Sequence, residues 1–194
     1  MSWHNFPHLQ RVIEDVVLKK DTFFLLLGGG LVLALDQWTK SLVRQNLAIG
    51  EQWAPWDWLY PYARIVHWTN RGAAFGIFQR GSAFFTVLAF IVGILILYYF
   101  PRVSWRDWSL KVAMMLQFGG ALGNLTDRLL RGHVTDFISV GSFAVFNVAD
   151  ASISIGAAVL VLGMWLSERR SQVGGEDTLP LVGEHASEES SLDG

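Results

Sequence analysis

Two aspartates near the last apolar segment of the chain have the residue type and the surroundings for hydrolytic chemistry. Asp136 lies in the sequence VTDF (134–137), and Asp150 ends the sequence FNVAD (146–150). Two carboxylates that share one water molecule can hydrolyse a peptide bond, because their mutual repulsion holds a proton on one and leaves the other as a general base. Asp150 also lies at the start of an apolar stretch of helical length, where the helix dipole would favour its ionised form. Fourteen positions separate the two residues, so a catalytic pair requires a fold that brings them together.

A second set of polar residues has helical spacing. Four of them occupy positions i, i+3, i+4 and i+7 and therefore share one face of a helix: Asn124, Asp127, Arg128 and Arg131. Lipid would not tolerate such a face, so it indicates a site enclosed by other helices. Gly119 and Gly123 precede it at a spacing that lets a neighbouring helix approach closely, and we interpret them as packing residues.

Asp36 and Lys40 lie four positions apart with the acid first, which is the favourable order for an ion pair within a helix. A structural pair therefore explains them as well as a catalytic role does. The adjacent Asp127 and Arg128 leave a similar choice, between a structural clamp and substrate binding. Lys40 could in principle activate a serine, but Asp36 is its expected partner.

Other catalytic chemistries find less support in the residues. The chain has no cysteine, which excludes thiolate nucleophiles, disulfides and Cys-ligated metals. Its five histidines lack the spacing of zinc ligands, and no Gly-x-Ser-x-Gly motif is present. The three consecutive glycines at 28–30 lie inside an apolar segment, where they indicate helix packing and not a phosphate-binding loop. Metal-dependent and serine-dependent hydrolysis are therefore both poorly supported.

The composition indicates an integral membrane protein. Of 194 residues, 52% are hydrophobic and 13% are aromatic, and the apolar residues form long runs instead of short strands. A helix needs about 20 residues to cross the hydrocarbon core of a bilayer. Four runs have this length, and they predict spans at about 22–43, 82–100, 108–130 and 148–166. The first run has no convincing small-x-small cleavage site, so we interpret it as an anchor and not as a removable signal.

Positive charge predicts the orientation of these spans. Lys and Arg residues flank their predicted inner ends, at Lys19, Lys20, Arg102, Arg106, Lys111, Arg169 and Arg170. The positive-inside rule then places both termini in the cytoplasm, with residues 1–21 as an inner segment. The same threading brings four polar sets to the outer face: Asp36 with Lys40, Asn70 with Arg71, Asn124 with Asp127 and Arg128, and Asp136 with Asn147 and Asp150. Their convergence predicts a site at the outer leaflet.

The segments outside the spans differ in character. Residues 44–81 form the largest predicted outer loop, which is crowded with side chains that favour the headgroup layer: Trp53, Trp56, Trp58, Tyr60, Tyr62 and Trp68. Residues 63–69 are rich in β-favouring types and predict a small sheet that rests on the membrane. The spans and this loop make up one domain, 22–170. The tail 171–194 has six acidic residues and no Lys or Arg, and is predicted to be disordered.

Five motifs, in order along residues 35–166, resemble those of the lipoprotein signal peptidases (signal peptidase II), a family of aspartic proteases of the bacterial inner membrane. The motifs are DQWTK (36–40), NRGAAFG (70–76), GGALGNLTDR (119–128), VTDF (134–137) and FNVAD (146–150). The resemblance implies an all-α integral membrane fold, with four transmembrane helices, a small extracytoplasmic β-cradle and a mobile outer segment over the site. The stretch between 137 and 146 resembles the lid-bearing region and is short.

The resemblance also implies roles for individual residues. Asp136 and Asp150 would form the catalytic dyad, with Asn124, Arg128 and Asn147 supporting the substrate and the dyad. Four more motif residues would have less direct roles: Asn70, Asp127, Asp36 and Lys40. The implied substrate is a prolipoprotein with diacylglycerol on a cysteine, cut just before that cysteine to remove the signal peptide. No metal or organic cofactor is implied. The expected partners are these substrates and membrane lipids, with no nucleic acid, and we expect a monomer.

Two other functions remain open on the residues alone. A transporter or proton-coupled protein would use the acids to bind ions or relay protons, and predicts accessible charge on both sides of the membrane. A structural assembly protein would use them in interhelical ion pairs, and predicts that loss of Asp136 or Asp150 destabilises the fold by about 3–5 kcal/mol. The one-sided distribution of polar residues favours the enzyme.

Overall fold

Four long helices and a three-stranded sheet make up the computed structural model, which describes residues 7–72 and 82–176. The helices are α1 (Pro7–Asn46), α2 (Ser82–Tyr99), α3 (Trp108–Arg131) and α4 (Val148–Glu176). The strands are β1 (Gln52–Trp53), β2 (Ala63–Asn70) and β3 (Val134–Val140). A 3-10 turn, Phe100–Arg102, follows α2 directly. The last four residues of the NRGAAFG motif and the tail 177–194 lie outside the described residues.

Each predicted span corresponds to one of the four helices, with Phe100 of the second span in the 3-10 turn, and two helices extend well beyond the predicted limits. Helix α1 begins at Pro7 and so continues through much of the predicted N-terminal segment. Helix α4 continues to Glu176, so the predicted start of the disordered tail at Ser171 is wrong. Each residue added to an existing helix gains one backbone hydrogen bond, and no proline interrupts either extension.

The burial pattern is the reverse of that in a soluble protein. Among the described residues, four charged side chains are completely buried: Asp36, Lys40, Lys111 and Asp127. Large apolar side chains on the helices point outward, among them Leu31 (65% exposed), Ile94 (63%) and Val161 (67%). Lipid accepts such an apolar exterior, and ionisable groups within it face the helix bundle. The distribution is that of a membrane protein.

Two helical segments among the described residues are long and apolar enough to cross a membrane by length and composition. They are Ser82–Arg102 and Val148–Leu166. Helices α1 and α3 have the required length but are less apolar, because they carry the charged residues that are buried in the bundle.

Helix α3 packs against the three other helices, and glycines allow the closest approaches. A Cβ atom built on Gly119 would lie 2.5 Å from the carbonyl oxygen of Gly29 on α1, and one built on Gly123 would lie 2.5 Å from Asp36 Oδ2. These distances confirm the predicted packing role of both residues. On the other side of α3, a Cβ atom on Gly120 would lie 2.5 Å from the carbonyl oxygen of Ala149 on α4.

The sheet is antiparallel, with the strand order β1-β2-β3. Strand β2 confirms the β-structure predicted at 63–69, whereas β3 was not predicted. Its register pairs Trp68 with Asp136 and Asn70 with Val134, which brings a polar residue of the outer loop beside the first aspartate. Residues 137–140, assigned above to the lid-bearing region, therefore belong to the sheet. The chain turns at Gly141 (φ 52°) and returns to pair Phe146 with Ile138.

A buried ion pair ties helices together at the end of the bundle opposite the sheet. Lys111 Nζ of α3 lies 3.1 Å from Asp21 Oδ2 of α1 and donates to the carbonyl oxygen of Phe100 at 3.2 Å. Trp105 donates its indole N–H to Asp21 Oδ1 at 2.6 Å. Every polar atom of the pair thus has a partner, as burial of charge requires.

Candidate active site

Strand β3 and the first turn of α4 carry the two aspartates of the predicted dyad. Asp150 is the third residue of α4, and Asn147 is the residue before the helix begins. Asn147 Oδ1 accepts the backbone N–H of Asp150 at 3.0 Å, and Asp150 Oδ2 accepts the backbone N–H of Asn147 at 3.3 Å. This reciprocal pair is a capping box, which satisfies two N–H groups that the helix cannot bond itself. The cap therefore fixes the position of the Asp150 carboxylate.

Two asparagines connect the aspartates to each other. Asn147 Nδ2 donates to Asp136 Oδ1 at 2.6 Å and to Asn124 Oδ1 at 3.1 Å. Asn124 Nδ2 then donates to Asp150 Oδ1 at 2.7 Å. A continuous chain of hydrogen bonds thus runs from one carboxylate to the other, and the fold closes the gap of fourteen positions between them. Every polar side-chain atom of the two aspartates and two asparagines has a hydrogen-bond partner, which holds these four side chains in one arrangement.

Asp136 is almost fully buried, with 1% of its surface exposed. Its second oxygen, Oδ2, accepts from Asn70 Nδ2 at 2.9 Å, and Asn70 Oδ1 in turn accepts the backbone N–H of Gly72 at 2.9 Å. Burial raises the pKa of the Asp136 carboxyl to about 7, and the negative charge of Asp150 acts in the same direction, while the amide donors of Asn70 and Asn147 oppose the rise. A proton therefore stays on Asp136 at pH values where an exposed aspartate is ionised.

A cavity of about 840 Å³ opens beside the aspartates between α2, α3 and α4. Polar residues line one end: Asn70, Asn124, Arg128, Asp136 and Asp150. Apolar residues form most of the remaining lining, among them Phe85, Leu88, Val92, Ala121 and Ile153, together with the polar residues Gln117 and Ser154. The guanidinium carbon of Arg128 lies 5.5 Å from the centre of the Phe85 ring, within range of a cation–π interaction. The cavity thus joins an acid pair to a space suited to hydrocarbon.

Asp36 and Lys40 form the predicted ion pair, with Lys40 Nζ 2.9 Å from Asp36 Oδ2. Of the two alternatives for Asp127 and Arg128, the ion pairs of Asp127 do not favour a clamp between the two neighbours. The ion-pair partners of Asp127 are Arg131 (3.0 Å), Lys40 (3.5 Å) and Arg44 (3.5 Å), because the helix turns successive residues about 100° apart. Arg128 instead lines the cavity.

The residues that sequence reasoning missed fall into two groups. Thr135 and Ala149 donate backbone N–H groups to buried carboxylates, and no side-chain pattern signals such a contact. The second group is the α2 residues that line the cavity, which are apolar and cannot be distinguished by sequence from residues that face lipid. In the part of the chain that the structure describes, no three His, Asp or Glu residues are grouped to hold a metal ion.

Comparison with known proteins identifies relatives over most of the chain. A family model described as signal peptidase (SPase) II matches residues 29–166. The lipoprotein signal peptidase of Halalkalibacterium halodurans is 37% identical over 145 residues, which cover 73% of this chain and 91% of the relative. The lipoprotein signal peptidase of Shouchella clausii is 39% identical over 144 residues, which cover 73% of this chain and 93% of the relative.

Solved structures agree with the sequence relatives. A structure described as a bacterial membrane enzyme superposes with a TM-score of 0.68 at 31% identity, over 75% of this chain and 89% of the other. A second, described in the same words, gives a TM-score of 0.64 at 32% identity, over 73% and 92%. The family match includes both aspartates, the asparagines that connect them and the ion pair behind them, and the chain belongs to the signal peptidase II family.

Proposed function

We propose that the protein is an aspartic endopeptidase of the membrane that removes the signal peptide from diacylglyceryl-modified prolipoproteins by cleaving just before the lipidated cysteine. The observation that carries this proposal is the pair Asp136 and Asp150, joined through Asn124 and Asn147 at the polar end of an apolar cavity. Family membership supports peptidase function over the transporter and the structural protein considered above.

The two aspartates have different environments, and this assigns them different roles. Asp136 is buried and retains its proton to about pH 7, so it donates a hydrogen bond to the carbonyl oxygen of the scissile peptide bond. Asp150 lies in the first turn of α4 and belongs to the same hydrogen-bonded network, so with the proton held on Asp136 it takes a proton from water. The resulting hydroxide attacks the carbonyl carbon, and the proton on Asp150 passes to the leaving amine as the C–N bond breaks.

The cavity explains why a lipid on the substrate would matter. Acyl chains placed among Phe85, Leu88 and Val92 would hold the modified cysteine at the depth of the two carboxylates. Restricting the peptide in this way can supply about 7–11 kcal/mol of the activation barrier through proximity alone. Arg128 lines the same cavity, and its guanidinium group would bind polar groups near the cleaved bond.

The membrane arrangement is part of the proposal. All four helices cross the bacterial inner membrane, both termini are cytoplasmic, and the sheet and dyad lie at the outer leaflet. Two features support it. The flanks of the helices opposite the sheet have a modest excess of Lys and Arg over the sheet side. Exposed Trp and Tyr residues lie on or beside β1 and β2, as is typical of the headgroup layer. The enzyme works as a monomer without a cofactor.

The proposed substrate can be tested with matched precursors. Purified protein in detergent is expected to cleave a diacylglyceryl-modified prolipoprotein at least ~100-fold faster than the same precursor without lipid, since even a few buried CH₂ groups contribute ~0.8 kcal/mol each. Mass spectrometry of the product should show the lipidated cysteine at its N-terminus, and a metal chelator should leave the rate unchanged. Equal cleavage of both precursors would contradict the lipid-binding role of the cavity, and no cleavage of either would contradict the peptidase.

Activity is also expected to have an alkaline limit. The mechanism requires one proton on the pair, and the pKa of Asp136 is about 7, so kcat should fall as pH rises through about 7. The pKa of Asp136 in the folded state exceeds the ordinary value of 3.8, so the folded state binds this proton more tightly than the unfolded state does. The free energy of unfolding should therefore decrease as pH rises from 3.8 to about 7. Rate profiles and thermal unfolding between pH 4 and 9 measure both effects. An Asp136→Asn variant should lose this part of the stability trend, and a rate that increases through pH 7 would contradict the protonated role of Asp136.

A further inference from the structure

Two buried carboxylates bind the main chain immediately before each member of the dyad. Ala149, which precedes the α4 aspartate, donates its backbone N–H to Asp36 Oδ1 at 2.9 Å. Thr135, which precedes the β3 aspartate, donates its backbone N–H to Asp127 Oδ2 at 2.9 Å. Asp36 belongs to α1 and Asp127 to α3. Each of these helices therefore holds the backbone next to one catalytic residue.

Lys40 joins the two carboxylates and adds a third connection to the dyad. Its ammonium group lies 2.9 Å from Asp36 Oδ2 and 3.5 Å from Asp127 Oδ2, and it donates to Asn124 Oδ1 at 3.0 Å. An ammonium group only donates hydrogen bonds, so Lys40 and the Asn147 amide together determine which way the Asn124 amide faces. The amide nitrogen is thereby directed at Asp150 Oδ1, 2.7 Å away. All three charged residues of this group are completely buried.

We propose that Asp36, Lys40 and Asp127 form a positioning cluster that sets the relative placement of the two catalytic aspartates. This inference rests on the proposed function, because it assumes that Asp136 and Asp150 are the catalytic pair. The cluster acts through the main chain and through Asn124, and none of its members lines the cavity. It therefore governs the rate of the chemical step and not the binding of substrate.

A purely structural role for the same charges makes a different prediction. Buried ion pairs often contribute little net stability, and removal of one partner is destabilising because the other charge is left unpaired. The Asp21 and Lys111 pair at the other end of the bundle has the same chemistry and burial but no hydrogen bond to the dyad among the described residues. It is the matched control for loss of a buried ion pair without loss of positioning.

The test compares alanine with asparagine at positions 36 and 127. Asparagine keeps an oxygen that can accept the N–H of Ala149 or Thr135, whereas alanine removes the acceptor. We expect Asp36→Ala and Asp127→Ala to lower kcat by about 100-fold, since a misplacement of about 1 Å can have an effect of that size, with KM unchanged. Asp36→Asn and Asp127→Asn should recover a large part of kcat. Asp21→Ala and Asp21→Asn should lower the unfolding temperature and leave kcat of the folded protein unchanged.

Each outcome decides the question. Loss of kcat with partial recovery by asparagine supports the positioning cluster. An unchanged kcat in the folded alanine variants, or equal kcat in alanine and asparagine variants, overturns it. If Asp36→Ala does not fold, the double variant Asp36→Ala/Lys40→Met is measured in its place. It removes the ammonium group that Asp36→Ala leaves unpaired, and we expect the same loss of kcat. Asp150→Asn is assayed alongside these variants. If Asp150→Asn remains active, the proposed dyad is refuted. If Asp150→Asn is inactive and the cluster variants are fully active, the positioning cluster is refuted and the dyad is not.

Discussion

Replacement of either aspartate of the proposed catalytic pair by asparagine is expected to reduce cleavage of a lipidated prolipoprotein by at least ~10³-fold. Positioned acid–base groups typically contribute 10²–10⁴-fold to a rate. In the proposed mechanism Asp150 activates the water and Asp136 polarises the carbonyl. Asp150→Asn removes the base, and Asp136→Asn removes the proton donor that the buried carboxyl provides. The measurement is the cleavage rate of purified wild type, Asp136→Asn and Asp150→Asn on one substrate, with thermal unfolding recorded on each sample.

Stability distinguishes catalysis from a structural role in this experiment. In Asp150→Asn the one remaining oxygen can accept the backbone N–H of Asn147, which preserves the capping box, while the hydrogen bond from Asn124 Nδ2 is lost. Asp136→Asn places an amide among the donors of Asn70 and Asn147, and should lose one of these two hydrogen bonds, which corresponds to about 1 kcal/mol. Folded and inactive variants are therefore expected. Variants that are unfolded at the assay temperature would favour a structural role, and folded variants that still cut would refute the dyad.

The second large effect is expected at Asn147, which contacts both aspartates. Asn147→Ala removes the hydrogen bond to Asp136, the hydrogen bond to Asn124 and the cap of α4. Loss of the cap should lower the free energy of unfolding by about 1 kcal/mol. Loss of the bridge leaves the two carboxylates less precisely positioned, which should lower kcat by about 100-fold. Cleavage rate and thermal unfolding, measured on the same preparation, give both quantities.

A serine at this position separates the two contributions. The hydroxyl of Asn147→Ser can accept the backbone N–H of Asp150 and so restore the cap, but it is too short to bridge Asp136 and Asn124. We therefore expect Asn147→Ser to recover most of the stability and little of the activity. If Asn147→Ser were as active as wild type, the bridge between the aspartates would have no role in catalysis.

Hydropathy and charge predict the helical part of this fold because lipid imposes simple requirements. A span needs a long apolar run, and each of the four runs corresponds to one helix, to within one residue. The glycine spacing at Gly119 and Gly123 predicts the close approach of a neighbouring helix, and the i, i+4 spacing predicts the Asp36 and Lys40 pair. These are local patterns, in which sequence separation determines geometry directly.

The sheet and the connections around the dyad are less accessible to the same reasoning. Strand β3 follows closely on the charged end of α3 and contains Asp136, so neither a hydrophobic run nor simple alternation indicates it. It is stabilised by pairing with β2, more than sixty positions earlier in the chain. The partners of Asp127 likewise depend on how α1 packs on α3, and no periodicity within α3 encodes that contact. Tertiary packing decides both features.

The contact between Asp36 and the backbone of Ala149 joins residues 113 positions apart, and this separation has a consequence for biosynthesis. A chain emerges from the ribosome N-terminus first, so α1, α2 and α3 are complete before α4 exists. During that interval Lys40 and Asn124 are present, but Asp150 and the N–H that Asp36 accepts are missing. In the proposed mechanism the nascent chain therefore holds half of its acid pair and cannot cut a neighbouring precursor. Proteolytic competence then begins at a defined moment, when the last helix docks against the other three.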